Sequence, residues 1–556
     1  MKFSEMPYTR VDMEKVEKKY AELTERLKAA KSADEQFEIH KDYYKFSDDV
    51  FTNIELAEVR NSIDTTDEFY EKEKEFYDEN APLIESLDIK YKKTLFESPF
   101  REGMEKHIGK VAFKNIEIAM KAFDDSIIDL MQEENALVTR YDKLLATAEI
   151  HFRGEVYNLS MMRPFMVNSD RATRKEACEA VEAYFSSVTS EIDEIYDKLV
   201  KNRTEQAKRL GYDTFTELGY YRMGRNCYSK DDVENFRRQV KESFMPLVNR
   251  IHEKRAARIG VTDGLKAYDN GVWFKEGNPN PTGTPQEILE MGQKMYHELS
   301  PETKEFFDFM MDNELFDVLS RKTKRQGGYM TYFPKYKSPF IFANFNGTEG
   351  DVDVITHECG HAFQGYLVGN NEIVKEYRDI GMETAEIHSM SMEYFTNPWM
   401  KYFFGDRADD FLTLQISDAI AFVPYGCMVD EFQHIVYANP EMTPAQRKEE
   451  WKKLEEIYRP HIDWGDSIMK SAYWQRQGHI FQVPFYYIDY VLASVCAMQY
   501  KVRMEKDYKA TWQDYLKLCG MSAKDFYVNM LPQCGLEVPF RDGTVEHLVK
   551  ALDKMV

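Results

Sequence analysis

Thr356-His357-Glu358-Cys359-Gly360-His361-Ala362 is the stretch on which the reading of this chain turns. Residues four apart on a helix share one face, so His357 and His361 can reach the same ion. Glu358 is rotated by about 100° yet stays close enough to take a proton from a water held by that ion. Zinc favours imidazole nitrogen, and a catalytic site uses three protein ligands with one position left for water. The ion acidifies the water, the carboxylate removes its proton, and a polarised carbonyl is attacked. H-E-x-x-H also arises by chance, in roughly two or three chains per hundred of this composition. Two histidines on an ordinary helix are therefore the alternative, and the surroundings have to decide.

Upstream, Gly327-Gly328-Tyr329-Met330-Thr331-Tyr332-Phe333-Pro334 and Pro339-Phe340-Ile341-Phe342-Ala343-Asn344-Phe345 are short, aromatic and bounded by Gly and Pro, which predicts strands of a small sheet. The turn Asn346-Gly347-Thr348 follows, and then a helix from about Asp351 to Val368, whose early acids complement the helix dipole. The motif therefore sits on a helix just after a predicted edge strand. Downstream, a third ligand is required. The extended metzincin pattern needs Gly at 364 and His at 367, where this chain has Gln364 and Leu367. A thermolysin-like spacing falls on Gly381. The stretch Gly381 to Glu393 reads as a second helix on which Glu386 and Glu393, seven apart, share a face and His388 points away. Glu386 could ligate while Glu393 accepts a hydrogen bond from a ligating imidazole. Glu383 remains a candidate, and a solvated acidic face is the bland reading, but Met382, Ala385, Met390 and Met392 argue against exposure.

The whole chain has 556 residues, enough for several domains or one large two-lobed body. Its net charge of −23 disfavours nucleic acid and anionic lipid as partners. The first residues lack the apolar core of a secretory signal, and the seven cysteines are scattered singly, which suits reduced thiols and a cytoplasmic location. The apolar stretch Ile480 to Met498 contains Gln482, Pro484 and Asp489, so it reads as buried or cleft-lining rather than membrane-spanning. Amphipathic helices are expected at Met13–Ala30, Asp34–Tyr44, Asp67–Tyr77, Asp170–Leu210, Asp231–Ile259 and from Gln286 to about Leu319, with a loop over Gly264–Pro285.

These residues resemble oligoendopeptidase F and the Pz-peptidases, within the thimet oligopeptidase family of zinc metallopeptidases. The resemblance rests on Thr216-Glu217-Leu218-Gly219-Tyr220, on Phe340 to Thr348 and the H-E-C-G-H helix, on Glu386 to Glu393, on Val429 to His434, and on His479 to Tyr490. It covers most of the second half; the first half matches in texture. It implies a mainly α protein with a zincin-like catalytic core and a small β-sheet, two helical lobes flanking a deep substrate channel. Residues 1–210 would form the N-terminal helical lobe and 211–556 the catalytic region, with helices shared between them. One Zn2+ per chain would be held by His357, His361 and Glu386, with Glu358 as catalytic base and Glu393 supporting a ligand. His479, Tyr487 and Tyr490 would lie near the scissile carbonyl as donors to the developing oxyanion. Tyr486 is expected to pack in the core. Phe342, Ala343, Asn344 and Gly347 would carry the substrate main chain by strand addition.

The expected activity is an endopeptidase acting on short unstructured peptides. Cys359 is expected to be inert packing, His388 a structural or pocket residue, and His434 with Asp430 a helix pair or a channel wall. One rival is an end-trimming carboxypeptidase or dipeptidyl carboxypeptidase, although no basic anchor for a terminal carboxylate stands out. The other is a peptide-binding scaffold with a structural metal, for which a fourth His or Cys at suitable spacing is missing.

Overall fold

Short capping side chains start the helices of the first half. Asp12, Ser32, Asp67 and Asp170 each accept hydrogen bonds from first-turn backbone N–H groups, opening helices Met13–Ala29, Ala33–Ile63, Glu68–Phe96 and Arg171–Arg209. Those N–H groups have no partner within the helix, which is why the cap matters. Ser229, Thr284, Ser300 and Thr443 form reciprocal capping boxes, the last three followed by proline in the first turn. The computed structural model describes residues 1–556 and is mainly helical. The helices expected at Asp34–Tyr44 and Asp67–Tyr77 run on to Ile63 and Phe96, because Val50, Leu56 and Val59, and Ile84, Tyr91 and Leu95, keep burying one face.

Two small sheets interrupt the helices. Strands β1 (Ile150–Phe152) and β2 (Glu155–Tyr157) form a hairpin turning on Arg153 and Gly154, both in the left-handed region at φ 51° and 90°. This hairpin was not expected: three-residue strands carry too little alternation to be read. Strands β3 (Phe316–Leu319), β4 (Tyr329–Phe333) and β5 (Ser338–Phe345) form the second sheet in the order β3-β5-β4. β3 lies where the helix was expected to continue to Leu319; that helix ends at Asp312. β3 is parallel to β5, and β4 is antiparallel to it. β5 is therefore central and β4 lies at an edge. The buried Lys324 ammonium ties the sheet together, donating to Asp317 Oδ1 at 2.7 Å, to the Leu319 carbonyl at 3.0 Å and to the Ala343 carbonyl. Burial lowers its pKa to about 8.

One hydrophobic core gathers side chains from Met6 to Leu552. A second, smaller core is built from residues between Val11 and Ile116. Ile480, Phe481, Ile488, Val491, Leu492 and Val495 from the apolar stretch are fully buried in the first core. Between the helical lobes runs a deep channel of about 1060 Å³, with Glu55, Tyr141 and Asp142 on one side and the H-E-C-G-H helix, β4 and the His479 segment on the other.

Candidate metal centre

The centre is made where two helices cross almost in contact. The motif helix Gly350–Asn371 lies against the helix Met382–Phe395 at Gly360, where a Cβ would come within 2.5 Å of Ser389 Cα and 2.6 Å of the His388 carbonyl oxygen. Glycine is required there, and the approach it permits brings three donors together. His357 Nε2 lies 3.2 Å and His361 Nε2 3.4 Å from Glu386 Oε2. The ligand atoms of the three residues lie within 4.8 Å of one another, spacing that suits one small ion. Glu393 Oε1 is 2.7 Å from His357 Nδ1, which orients that ring and leaves Nε2 towards the cluster. Glu386 is fixed by Ser389 Oγ, which donates to Oε2 at 2.9 Å, and by the Tyr486 hydroxyl, which donates to Oε1. Burial would raise the Glu386 carboxyl, but His361 and His357 overcome it and hold the group well below the usual range. Glu358 is buried beside the pair and faces the channel, and burial raises its pKa.

A hydrogen-bonded relay flanks the cluster. The Tyr425 hydroxyl donates to Gln477 Oε1 at 2.8 Å, which orients the amide. Gln477 Nε2 then donates to His479 Nδ1 at 2.9 Å. The imidazole therefore carries its proton on Nε2 and donates to the Tyr490 oxygen at 3.1 Å. Burial lowers the His479 pKa to about 4, so the ring is neutral near pH 7. Tyr490, relieved of donating to histidine, keeps its own O–H for the channel.

The structure exchanges the expected places of Tyr486 and Tyr487. Tyr486, expected in the core, reaches Glu386 and lines the channel with Tyr490. Tyr487, expected to face the site, instead packs edge-on against His479 at 5.2 Å and against Tyr425 and Phe422. The cause is Phe485, held in the left-handed region at φ 69°. Its N–H donates to Gln433 Oε1 at 2.8 Å, and Arg225 donates to its carbonyl at 2.5 Å. Its ring sits where a Cβ on Gly219 would be, 2.6 Å from Cδ2. That bend rotates the start of helix Tyr487–Met521 so that Tyr486 and Tyr490, four apart, share the channel face.

The four expected substrate-binding residues also lie elsewhere. β5 is paired on both sides at Phe342, the Ala343 carbonyl beyond that pairing is taken by Lys324, and both residues are fully buried. Asn344 turns its amide to the Arg325 and Gly327 carbonyls at 2.8 Å, pinning the loop before β4. The Gly347 N–H donates to Asp351 at 2.8 Å, closing the turn into the motif helix. The free edge belongs to β4, and Gly327 to Tyr332 line the channel. A Cβ on Gly328 would lie 3.7 Å from Glu358 Oε1, so main chain there passes directly over that carboxylate.

Cys359 is fully buried, and burial pushes its thiol up. His388 is fully buried among the helices. His434 bonds with Tyr220 at 3.2 Å and lies 3.5 Å from Asp430, whose main partner is Arg237, and it does not line the channel. Sequence reasoning missed Gln477, Tyr425, Ser389 and Tyr486; the Gln-x-His spacing of 477 and 479 was the one local signal available.

The peptidase family M3 model matches residues 165–547, and the peptidase M3 N-terminal domain model matches residues 3–123. Pz peptidase A, solved with an inhibitor, is similar at 43% identity and a TM-score of 0.98, over 100% of this chain and 99% of that one. A protein assigned as an oligoendopeptidase F is similar to the same degree, at 43% identity, a TM-score of 0.98 and coverage of 100% and 99%. Another assigned oligoendopeptidase F, from Bacillus anthracis, has 40% identity and a TM-score of 0.93 over 100% of this chain and 98% of that one. No curated protein matches the chain.

Proposed function

The chain belongs to peptidase family M3, in its oligoendopeptidase F and Pz-peptidase branch, and from that premise we propose that it is a zinc-dependent endopeptidase cutting internal bonds of short, unstructured peptides. The observation that carries the reading is the convergence of His357, His361 and Glu386 on one point of a deep channel. Two imidazoles and a carboxylate are the donor set of a catalytic zinc with a position left open, and they argue against a closed structural metal. Bound there, zinc supplies a Lewis acid that polarises a carbonyl and acidifies a water.

The remaining work falls to this chain's own residues. Glu358 takes the proton of the attacking water and returns it to the leaving amine. The Tyr490 O–H donates to the oxygen on which charge develops, and His479 holds that phenol in place. Tyr486 and Ser389 steady the Glu386 carboxylate, and Glu393 steadies His357. The free edge of β4 receives the substrate main chain as an added strand, with Gly328 bringing the scissile bond over Glu358. The depth of the channel favours short, unfolded chains over folded proteins.

The test is an internally quenched, end-blocked peptide of about ten residues, incubated with and without a chelator, with products identified by mass. Interior cleavage that stops with chelator and returns with zinc is the expected result. Failure of zinc-loaded protein to cut varied peptides would overturn the reading. One observation favours end-trimming as a second reading. Arg378 lines the channel without an acidic partner, and its Nε and the nearby Tyr332 hydroxyl are buried without hydrogen bonds. That pair could anchor a terminal carboxylate, and cleavage that requires a free C-terminus would select this reading. The seven unpaired cysteines support a reducing, cytoplasmic location, which we propose alongside the activity.

A further inference from the structure

A second large cavity, about 970 Å³, opens beside the metal centre, and Arg476 lines both. Its inner wall is the start of the motif helix. Asp353, one turn before His357 and on the same helical face, lines it with Glu349 and Asp418. Glu349 is 5% exposed; its Oε1 accepts from Asn278 at 3.2 Å, while Oε2 is buried without a partner. Asp353 Oδ1 is likewise buried and unpartnered. Asp418 is exposed and lines the cavity.

The basic residues nearby neutralise this trio only in part, and none is ion-paired with Asp353 or Asp418. Arg163 reaches Glu349 at 3.5 Å. Lys266 is paired with Asp463 at 2.6 Å, and Lys175 lies 3.6 Å from Glu179. Arg476 stacks on the rings of Phe185 and Tyr473 at 5.6 and 5.3 Å. Burial, together with the charges of Glu393, Glu349 and Asp418, raises the Asp353 carboxyl well above its usual value. Carboxylates crowded in this way are a cost to the protein unless a cation joins them. Trp273, Trp464, Tyr268 and Tyr473 also line the cavity, and their rings already stack with Arg255, Arg459 and Arg171 of the protein itself.

We propose that this cavity is a specificity subsite that receives a cationic group of the peptide, a lysine or arginine side chain or the α-ammonium, among Glu349, Asp353 and Asp418. The inference rests on the peptidase reading above and deepens it.

The experiment uses end-blocked quenched peptides that differ at one position, scanned on both sides of the cut, carrying arginine, its neutral isostere citrulline, or glutamate. A matched set has free N-termini. Cleavage gives kcat/KM, and binding of uncut peptide to Glu358→Gln gives Kd. At one position arginine should exceed citrulline by about tenfold in both readouts, the difference expected between a charged and a neutral hydrogen-bond donor. A preference that instead follows the free N-terminus identifies the α-ammonium as the cation and supports the same site. Asp353→Asn with Asp418→Asn should erase the preference, and Asp418→Lys should reverse it towards glutamate, with thermal midpoints reporting that each variant folds. Equal cleavage and binding of arginine and citrulline at every position, blocked or free, would overturn the proposal while leaving the peptidase intact. No cleavage of any peptide by zinc-loaded protein would overturn the peptidase reading, and this inference with it.

Discussion

Gln477→Leu isolates the relay, because it keeps the side chain's size and removes both of its hydrogen bonds. In the native protein the amide donates to His479 Nδ1 at 2.9 Å and is itself oriented by Tyr425 at 2.8 Å. Without it, His479 Nδ1 is left buried with no partner, a cost of about 1–3 kcal/mol. Nδ1 is unpartnered in either tautomer, so nothing keeps the proton on Nε2; in the form with the proton on Nδ1, Nε2 must accept from Tyr490. The phenol proton is thereby drawn away from the oxyanion. At 1.4 kcal/mol per factor of ten, kcat should fall by roughly five- to a hundredfold. The ceiling is the loss seen on deleting the donor outright, about 10²–10³ for Tyr490→Phe. KM should change little, since neither group is needed to hold the ground-state peptide. The assay is steady-state cleavage of a quenched peptide by the two single variants and the double. In the double variant the effects should not add, because both changes remove one proton donor. A Gln477→Leu enzyme at full kcat, or losses that multiply cleanly with Tyr490→Phe, would refute the relay.

Other expectations follow from the same geometry. Glu358→Gln should abolish turnover while retaining zinc by elemental analysis; full activity with zinc bound would exclude Glu358 as the base. Tyr486→Phe should weaken zinc binding about 10–100-fold in a competitive chelator titration, because the carboxylate loses its orienting donor, and unchanged affinity would count against that role. Gly369→Ala places a Cβ 1.8 Å from the Tyr332 hydroxyl, so it should cost about 1–3 kcal/mol by urea denaturation and be relieved by Tyr332→Ala. An unaltered midpoint would contradict that packing. Burial raises Glu134, but Arg222 and Arg203 together pull its native pKa far below the usual value. Its stabilisation is therefore complete above the unfolded pKa near 4.3 and is lost as pH falls towards the native value. Glu134→Gln should cost about 3–5 kcal/mol at pH 7. The gap from wild type should shrink when urea midpoints are repeated near pH 3; a constant gap would refute the linkage.

The parts of the centre that could be read from the sequence are those that obey helical arithmetic. His357 and His361 four apart, and Glu386 and Glu393 seven apart, define faces whatever the tertiary structure, and the two helices form where expected. What escaped depended on contacts distant in sequence. The rotation that selects Tyr486 over Tyr487 comes from Phe485, whose conformation is imposed by Gln433, Arg225 and the space left by Gly219. The edge strand was misassigned because β3, four residues long, covers the second side of β5 and leaves β4 free. Helix starts read from apolar spacing fell beside the caps Asp12, Ser32, Asp67 and Asp170, whereas helix ends, set by how far an apolar face finds a partner, ran well past the expected limits at Ile63 and Phe96.

The helix Tyr487–Met521, which packs against the helix bearing Glu386, has a consequence for how the protein is made. Its first residue leaves the ribosome roughly a hundred residues after Glu386, or about 5–20 s later at ordinary rates of synthesis. Until then the two metal-binding helices lack the partner that buries them, Tyr486 and Tyr490 do not yet exist, and the channel has no finished wall. A nascent chain is unfolded, and its free end offers the short unstructured peptide on which the proposed activity acts. Placing the last catalytic wall near the C-terminus keeps the growing chain from completing a blade while its own unfolded length, and that of its neighbours on the polysome, is within reach.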